Sequence, residues 1–407
     1  MSFDKSVKEK KMKEPPFLIG ELLKEASRPD GVSDVHLIPD FPAVLRVLGE
    51  LESTGRILTE EELKEWADYL FSTFPENFRK RLFEKLEKDG GVSFAYQEGR
   101  KRYRVALNRL DGSFELVFRI LPEVPPKLEG LGLYKKTEER LKREIDTLSN
   151  AKKGGLVIIA GPTGSGKSTT LAAVVREILK FPLKVSTLED PIEYRYDRIP
   201  ERHKNSVVVQ RELFRDFPTF AEGLYQALRS DPNVMVVGEI RDPKSGLYAL
   251  NAAASGHLVL TTIHAERAVE AITVFVNKVK EVMSADEART QLAFTLRAVI
   301  AQKLVRSGGK RYLVHEALFP GLGERSQIKA GDEGQIVSLL DNSAEGSISF
   351  GLHGAHLSLD KGVNEAEIAG VLNLSPEEFR EYVEKARRRR GEVEEKKKNF
   401  SHGGLVF

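Results

Sequence analysis

The sequence predicts an α/β protein in two parts, an α+β unit followed by a unit built on a wound, mostly parallel sheet. Three observations predict it. The apolar run Leu156-Val157-Ile158-Ile159-Ala160 enters Gly161-Pro162-Thr163-Gly164-Ser165-Gly166-Lys167-Ser168-Thr169, and the helical stretch from Thr170 to Leu179 follows, so a glycine-rich loop joins a strand to a helix. Around it, strand-like runs at 156–160, 184–188, 207–210, 234–237 and 257–263 alternate with helical stretches at 136–150, 168–180, 217–229 and 243–255. That alternation is the pattern of a parallel sheet with crossover helices, the loop lying at a strand's carboxyl end. Upstream, Leu121-Pro122-Glu123-Val124-Pro125-Pro126 can continue neither a helix nor a central strand, because proline fixes φ and removes a donor.

Taken in order, residues 1–16 are rich in Lys and Glu, end in Pro15-Pro16 and predict a disordered arm. A first domain follows over 17–120. In it Leu18, Ile19, Leu22 and Leu23 recur at helical spacing, 35–38 and 43–48 read as short strands, and 60–88 reads as helices. The runs 92–96, 102–107 and 114–120 predict antiparallel strands with turns at Glu98-Gly99 and Asp111-Gly112. Residues 121–135 make the linker and 136–375 the second domain, with helices continuing through 266–305; 376–407 reads as a charged tail.

The 407 residues suffice for two or three domains with a sizeable core. Hydrophobic residues make up 41%, an ordinary share, and charged residues 30%, above the usual quarter. No apolar run approaches the roughly 18 residues a bilayer span needs. The lysine-rich N-terminus has no apolar core of a signal peptide, which predicts a cytoplasmic protein. Zero cysteines exclude disulfides, thiolate chemistry and Cys-ligated zinc. A net charge of +2 gives no global drive toward nucleic acid, and the basic run from Lys385 to Arg390 is followed at once by Glu392, Glu394 and Glu395. It reads as a solvated helix end.

Phosphate chemistry dominates the motifs. The full G-x-x-x-x-G-K-S pattern lets the backbone N–H groups of Pro162-Thr163-Gly164-Ser165-Gly166-Lys167-Ser168-Thr169, proline excepted, close around phosphate oxygens at a helix N-terminus. Lys167 can reach the β- and γ-phosphates, and the Ser168 hydroxyl can ligate Mg²⁺. The expected substrate is ATP with Mg²⁺. In Thr187-Leu188-Glu189-Asp190-Pro191-Ile192-Glu193-Tyr194 a strand runs into clustered carboxylates, among them Glu189, which can orient water or hold Mg²⁺ through bridging waters, or else form a solvated turn. A second apolar strand, Asn233-Val234-Met235-Val236-Val237, ends in Gly238-Glu239-Ile240-Arg241-Asp242. There Gly238 takes the place of the usual metal-holding Asp, and Glu239 is the candidate to polarise water or hold the metal's shell through water. The third, Gly256 to His264, carries a histidine at each end. A lone strand-end histidine is more often packed or capping, but Thr262 and His264 share a face beside the loop strand, which suits His264 as a γ-phosphate sensor.

In order and wording these segments resemble the hexameric secretion ATPase superfamily, specifically the PilT-like branch of type II secretion and type IV pilus motors. Gly161 to Thr169 matches its Walker A motif, Thr187 to Tyr194 its aspartate box, Val234 to Asp242 its Gly-Glu Walker B and Ala252 to Ala265 its histidine box. Upstream, Gly31 to Leu37 and Leu45 to Leu51 are similar to the start of the family's N-terminal domain. The resemblance spans about residues 17–370 and implies a PAS-like N-terminal domain, a RecA-like ATPase domain and a homo-hexamer. It further implies ATP hydrolysis at composite sites, force delivered to an inner-membrane pilus platform protein, and a cytoplasmic protein peripheral to that membrane. Two family arginines that approach the nucleotide match Arg104 and Arg119, whose guanidinium groups suit the charge of a transferring phosphoryl. Arg229 and Arg241, flanking the Walker B strand, are further relay candidates.

The chain lacks the four-cysteine zinc motif of the extension motors, which favours the shorter, retraction-like branch. It also departs from that branch. The retraction-associated Ala-Ile-Arg signature is not legible, the nearest stretch being Gly323 to Lys329, and the 195–207 segment is longer than the family loop. A conjugation or type IV secretion ATPase of the same superfamily is therefore the alternative. A nucleic-acid translocase would need interleaved aromatic and basic residues to stack bases, and no such patch is evident; a small-molecule kinase would need a basic lid.

Overall fold

A computed structural model describes residues 20–23, 31–110, 112–151, 154–340 and 345–402. The arm expected over 1–16 lies outside them, as does Asp111 of the second predicted turn. The chain divides into two compact units. One comprises the residues up to Pro125 with Glu189–Arg198 and Gln210–Thr219; the other comprises Pro126–Leu188, Ile199–Val209 and the residues from Phe220 onward.

The first unit is an antiparallel six-stranded sheet in the order β3-β2-β1-β6-β5-β4. Its strands are β1 (Val32–Leu37), β2 (Pro42–Val47), β3 (Glu50–Ile57), β4 (Gly91–Glu98), β5 (Lys101–Leu110) and β6 (Ser113–Leu121). Period-two alternation sends Tyr103, Val105 and Leu107 of β5 and Phe114, Leu116 and Phe118 of β6 into one core with the helices Glu60–Ser72 and Glu76–Asp89. Trp66 anchors it, with the Phe118 ring edge-on at 5.9 Å. The first helix starts cleanly because Thr59 and Glu62 form a capping box. β3, which the sequence does not announce, is a polar edge strand with only Thr54 and Arg56 half-buried, so it has neither the alternation nor the apolar run that marks a strand.

The second unit holds a seven-stranded sheet in the order β13-β12-β7-β11-β10-β8-β9. Its strands are β7 (Gly155–Ala160), β8 (Lys184–Glu189), β9 (Val207–Glu212), β10 (Val234–Val237), β11 (Leu258–Ile263), β12 (Leu296–Ser307) and β13 (Lys310–Leu318). β12, β7, β11, β10 and β8 run parallel, and β13 returns antiparallel beside β12. Every residue of β7, β10 and β11 is buried, as helices on both faces require.

One expectation fails here. Residues 266–305 are not helical throughout: the helices Ala268–Val279 and Ala285–Thr295 give way to β12 at Leu296. Residues 298–302 of β12 are all buried. A fully buried apolar run carries no period that separates strand from helix. The helix Pro376–His402 begins with Phe379, Val383 and Ala386 buried, and the Tyr382 ring occupies the space beside Gly351 that a Cβ there would need.

Candidate active site

β7 is central in its sheet, between β12 and β11, and it delivers the glycine-rich loop to the sheet's carboxyl edge. Gly161, Gly164 and Gly166 adopt φ of 151°, 79° and 87°, a region that favours glycine. At Gly161 a Cβ would also meet Ser165 Oγ at 2.4 Å and the Gln302 carbonyl at 2.5 Å, so the cradle tolerates no side chain there. Gly166 caps the helix Lys167–Ile178 without any side-chain hydrogen bond, leaving the first-turn N–H groups to an anion. Lys167 folds back over the loop, donating to the Gly161 carbonyl (2.8 Å) and the Pro162 carbonyl (2.9 Å). Burial holds its ammonium below the ordinary lysine range. Pro162, Thr163, Gly164 and Ser168 are exposed, Gly166 and Thr169 half-buried, and Ser165 buried. A glycine-lined cradle, uncapped helix N–H groups and a lysine held only by carbonyls fit a phosphate chain.

Beside the loop strand, Thr261 of β11 pairs with Val237 of β10, so the segments after these strands emerge side by side. His264 Nε2 lies 3.3 Å from Glu239 Oε2, and Arg241 pairs with the other carboxylate oxygen. Thr262 Oγ1 donates to the Gly238 carbonyl at 2.6 Å, tying the two strand ends together. Burial, aided by Lys167, Lys278 and Arg241, holds the His264 imidazole below its ordinary 6.5. At neutral pH it is uncharged and can exchange a proton or a hydrogen bond with a ligand. The histidine at the other end of the strand has a different role: His257 Nδ1 lies 3.2 Å from both the Ala252 carbonyl and Ser255 Oγ, closing the end of the helix Pro243–Ala254. Among the described residues no group of three His, Asp or Glu side chains could hold a metal. Mg²⁺ would depend on the exposed Ser168 hydroxyl and on oxygens brought by the nucleotide.

The remaining three predicted residues belong to the first unit. Glu189 accepts from Gln210 Nε2 at 3.0 Å, which fixes the carboxylate at the end of β8. Arg104 and Arg119 stand directly opposite each other on β5 and β6, and Arg119 in turn stands opposite Asp34 on β1. Arg119 Nε donates to Asp34 Oδ1 at 2.8 Å, and Arg104 lies 3.7 Å from Glu193 of the aspartate box. Arg229 lies over the Tyr225 ring at 5.7 Å. The residue that sequence reasoning missed is Gln302, fully buried on β12, whose amide donates to the Ser165 carbonyl at 2.6 Å. The signal lay in a polar residue inside an apolar run, masked because such a run suits a buried helix as well as a strand.

A strand-borne phosphate cradle, a carboxylate and histidine on adjoining strand ends, and an antiparallel companion domain together define a P-loop ATPase of the secretion and pilus motor class. The type II/IV secretion system protein family model matches residues 77–331, and the chain belongs to that family. It is 34% identical over 372 residues to the type IV pilus retraction ATPase PilT of Pseudomonas aeruginosa, covering 89% of this chain and 99% of that protein. The uncharacterized protein YggR of Escherichia coli K12 is 36% identical over 324 residues, covering 78% of this chain and 92% of YggR. Among solved structures, the pilus retraction motor PilT with bound ADP superposes with a TM-score of 0.71 at 32% identity, covering 88% of this chain and 96% of that one. The Legionella pneumophila ATPase DotB gives 0.69 at 27% identity, covering 92% and 99%. No helix among the described residues is long and apolar enough to cross a membrane.

Proposed function

We propose that the chain hydrolyses ATP·Mg²⁺ as one subunit of a homo-hexameric motor that withdraws type IV pili. The observation that carries the chemistry is the 3.3 Å approach of His264 to Glu239 on the strand ends beside the phosphate cradle. Backbone amides of residues 163–168 and Lys167 bind the phosphates, Pro162 and Thr169 close the two ends of the cradle, and Ser168 would hold the metal. Mg²⁺ supplies charge neutralisation on the phosphate oxygens. Glu239, freed from Arg241, orients the attacking water and would hold the water shell of a bound Mg²⁺; Glu189 is the other carboxylate suited to either task. His264 takes a hydrogen bond state that depends on the γ-phosphate. Arg104 and Arg119 meet the phosphoryl charge in the assembled ring, as the family resemblance implies.

Two domains joined by a linker at 121–135 suit such a motor, because hydrolysis can change the angle between them. The ring works in the cytoplasm against an inner-membrane platform protein, without direct contact with nucleic acid. The second reading, a conjugation or type IV secretion ATPase, is favoured by the family's own description as a type II/IV secretion system protein. Deleting the gene in its host tests the choice. Persistent surface pili that no longer retract support the proposal; normal retraction with lost protein export supports the second reading. For the ring, light scattering on the full-length protein with ATP should give six subunits, and a monomer with full ATPase activity overturns it.

A further inference from the structure

Gln302 stands one residue beyond the point where Ala301 of β12 pairs with Ala160 of β7, so it adjoins the first residue of the phosphate loop. Its own carbonyl would lie 2.5 Å from a Cβ on Gly161, and its Nε2 3.2 Å from a Cβ on Gly166. The residue thus adjoins both ends of the cradle, with its main-chain carbonyl at Gly161 and its side-chain amide at Gly166. It is fully buried, and its Nε2 donates to the Ser165 carbonyl at 2.6 Å. Two atoms of this pair are left over: among the described residues, Gln302 Oε1 and Ser165 Oγ are both buried without a hydrogen-bond partner.

Buried polar atoms without partners are costly, and an apolar side chain among Val299, Ile300 and Ala301 would serve the sheet better. The amide therefore serves the loop. The leftover atoms are complementary: a hydroxyl donates and an amide carbonyl accepts. They belong to residues already tied by one hydrogen bond. A change of the Ser165 χ1 rotamer, which leaves its carbonyl on Gln302 Nε2, can bring the hydroxyl onto Gln302 Oε1. We infer that Gln302 is a positioning residue for nucleotide binding, clamping the phosphate loop through the Ser165 carbonyl and gaining a second hydrogen bond, from Ser165 Oγ, only when phosphate is bound. This rests on the reading of the loop as the ATP site.

The test uses the full-length protein with ADP·Mg²⁺ as probe, read by titration calorimetry, alongside melting without nucleotide. Losing one buried hydrogen bond corresponds to roughly tenfold in affinity. Gln302→Met should weaken ADP by roughly tenfold or more, raise the KM for ATP similarly and leave kcat within about a factor of 3. Ser165→Ala should weaken ADP by a smaller factor. The double variant should bind like Gln302→Met alone, because both singles break the same bond, while effects on melting add. Should Gln302→Met fail to fold, Gln302→Asn, one methylene short, carries the same expectations. Unchanged ADP affinity in the Gln302 variant, or multiplicative losses in the double variant, overturns the inference. Lys167→Ala separates the two levels: if it too binds ADP normally, the site reading itself has failed.

Discussion

Arg104 and Arg119 face each other as a directly opposed pair on adjacent antiparallel strands. Like charges so placed destabilise a sheet by up to roughly 1 kcal/mol. Each guanidinium has its own carboxylate, Glu193 at 3.7 Å and Asp34 at 2.8 Å, but neither pair needs the other arginine. In the proposed motor this concentration of positive charge is placed to meet an anion, and its cost to the sheet falls on Arg104, whose own pair with Glu193 is the longer of the two.

Removing Arg104 should therefore leave the first unit as stable or up to about 1 kcal/mol more stable, while kcat falls by roughly 10³ or more, the contribution of an inserted arginine in phosphoryl transfer. Urea melts and steady-state ATPase assays on Arg104→Ala give both numbers. A stability loss with unchanged turnover would assign the residue to the fold.

Arg119→Ala should behave differently. Asp34 is 5% exposed, and Ser33 Oγ (2.8 Å) is its other side-chain partner. The variant should lose about 1 kcal/mol, the value of a partly screened pair. Asp34→Asn in the same background should recover most of it, with turnover still low.

Much of this was legible in the sequence, and the limits have physical causes. The phosphate loop, Glu239 and His264 announce themselves because an apolar run that stops abruptly at glycine, carboxylate or histidine is how a buried parallel strand delivers chemistry to its carboxyl end. β12 is indistinguishable from a helix in sequence because a fully buried strand shows no alternation, and with it Gln302 is hidden. The opposition of Arg104 to Arg119, and the Asp34 partner, depend on strand register, which no local pattern encodes. The resemblance pointed to the two arginines; only the sheet pairs them.

His264 sets a pH dependence. Its folded pKa is depressed, so it is neutral at pH 7 and charges only below 6.5. In the proposed mechanism, protonation would hold the imidazolium against the Glu239 carboxylate and so oppose its hydrogen-bond exchange with the γ-phosphate. The kcat/KM profile should show an acid limb below pH 6.5 that His264→Gln lacks. An unchanged limb in the variant would remove His264 from the chemistry.

A second pH effect belongs to stability. His315 and His353 are buried with ring centroids 4.1 Å apart, and His353 Nδ1 accepts from the His315 backbone N–H at 3.0 Å. Burial pushes His315 down to about 3, and burial with the neighbouring His315 holds His353 far below its usual range. Both are neutral when folded and protonate readily when unfolded. The stability they secure is complete above pH 6.5 and declines as pH falls toward their folded values. Between roughly pH 6.5 and 5 the decline should reach up to about 1.4 kcal/mol per pH unit per histidine. Urea melts of the wild type against His353→Gln should show the shallower slope in the variant.

In the proposed motor, Glu239 drives hydrolysis at a cradle that binds nucleotide without it. Glu239→Gln keeps size and hydrogen bonding but removes the charge. Measured together on the full-length protein, its ADP affinity should stay within about threefold of wild type while single-turnover hydrolysis of ATP slows by roughly 10² to 10⁴. Hydrolysis at the wild-type rate with normal binding would contradict the account.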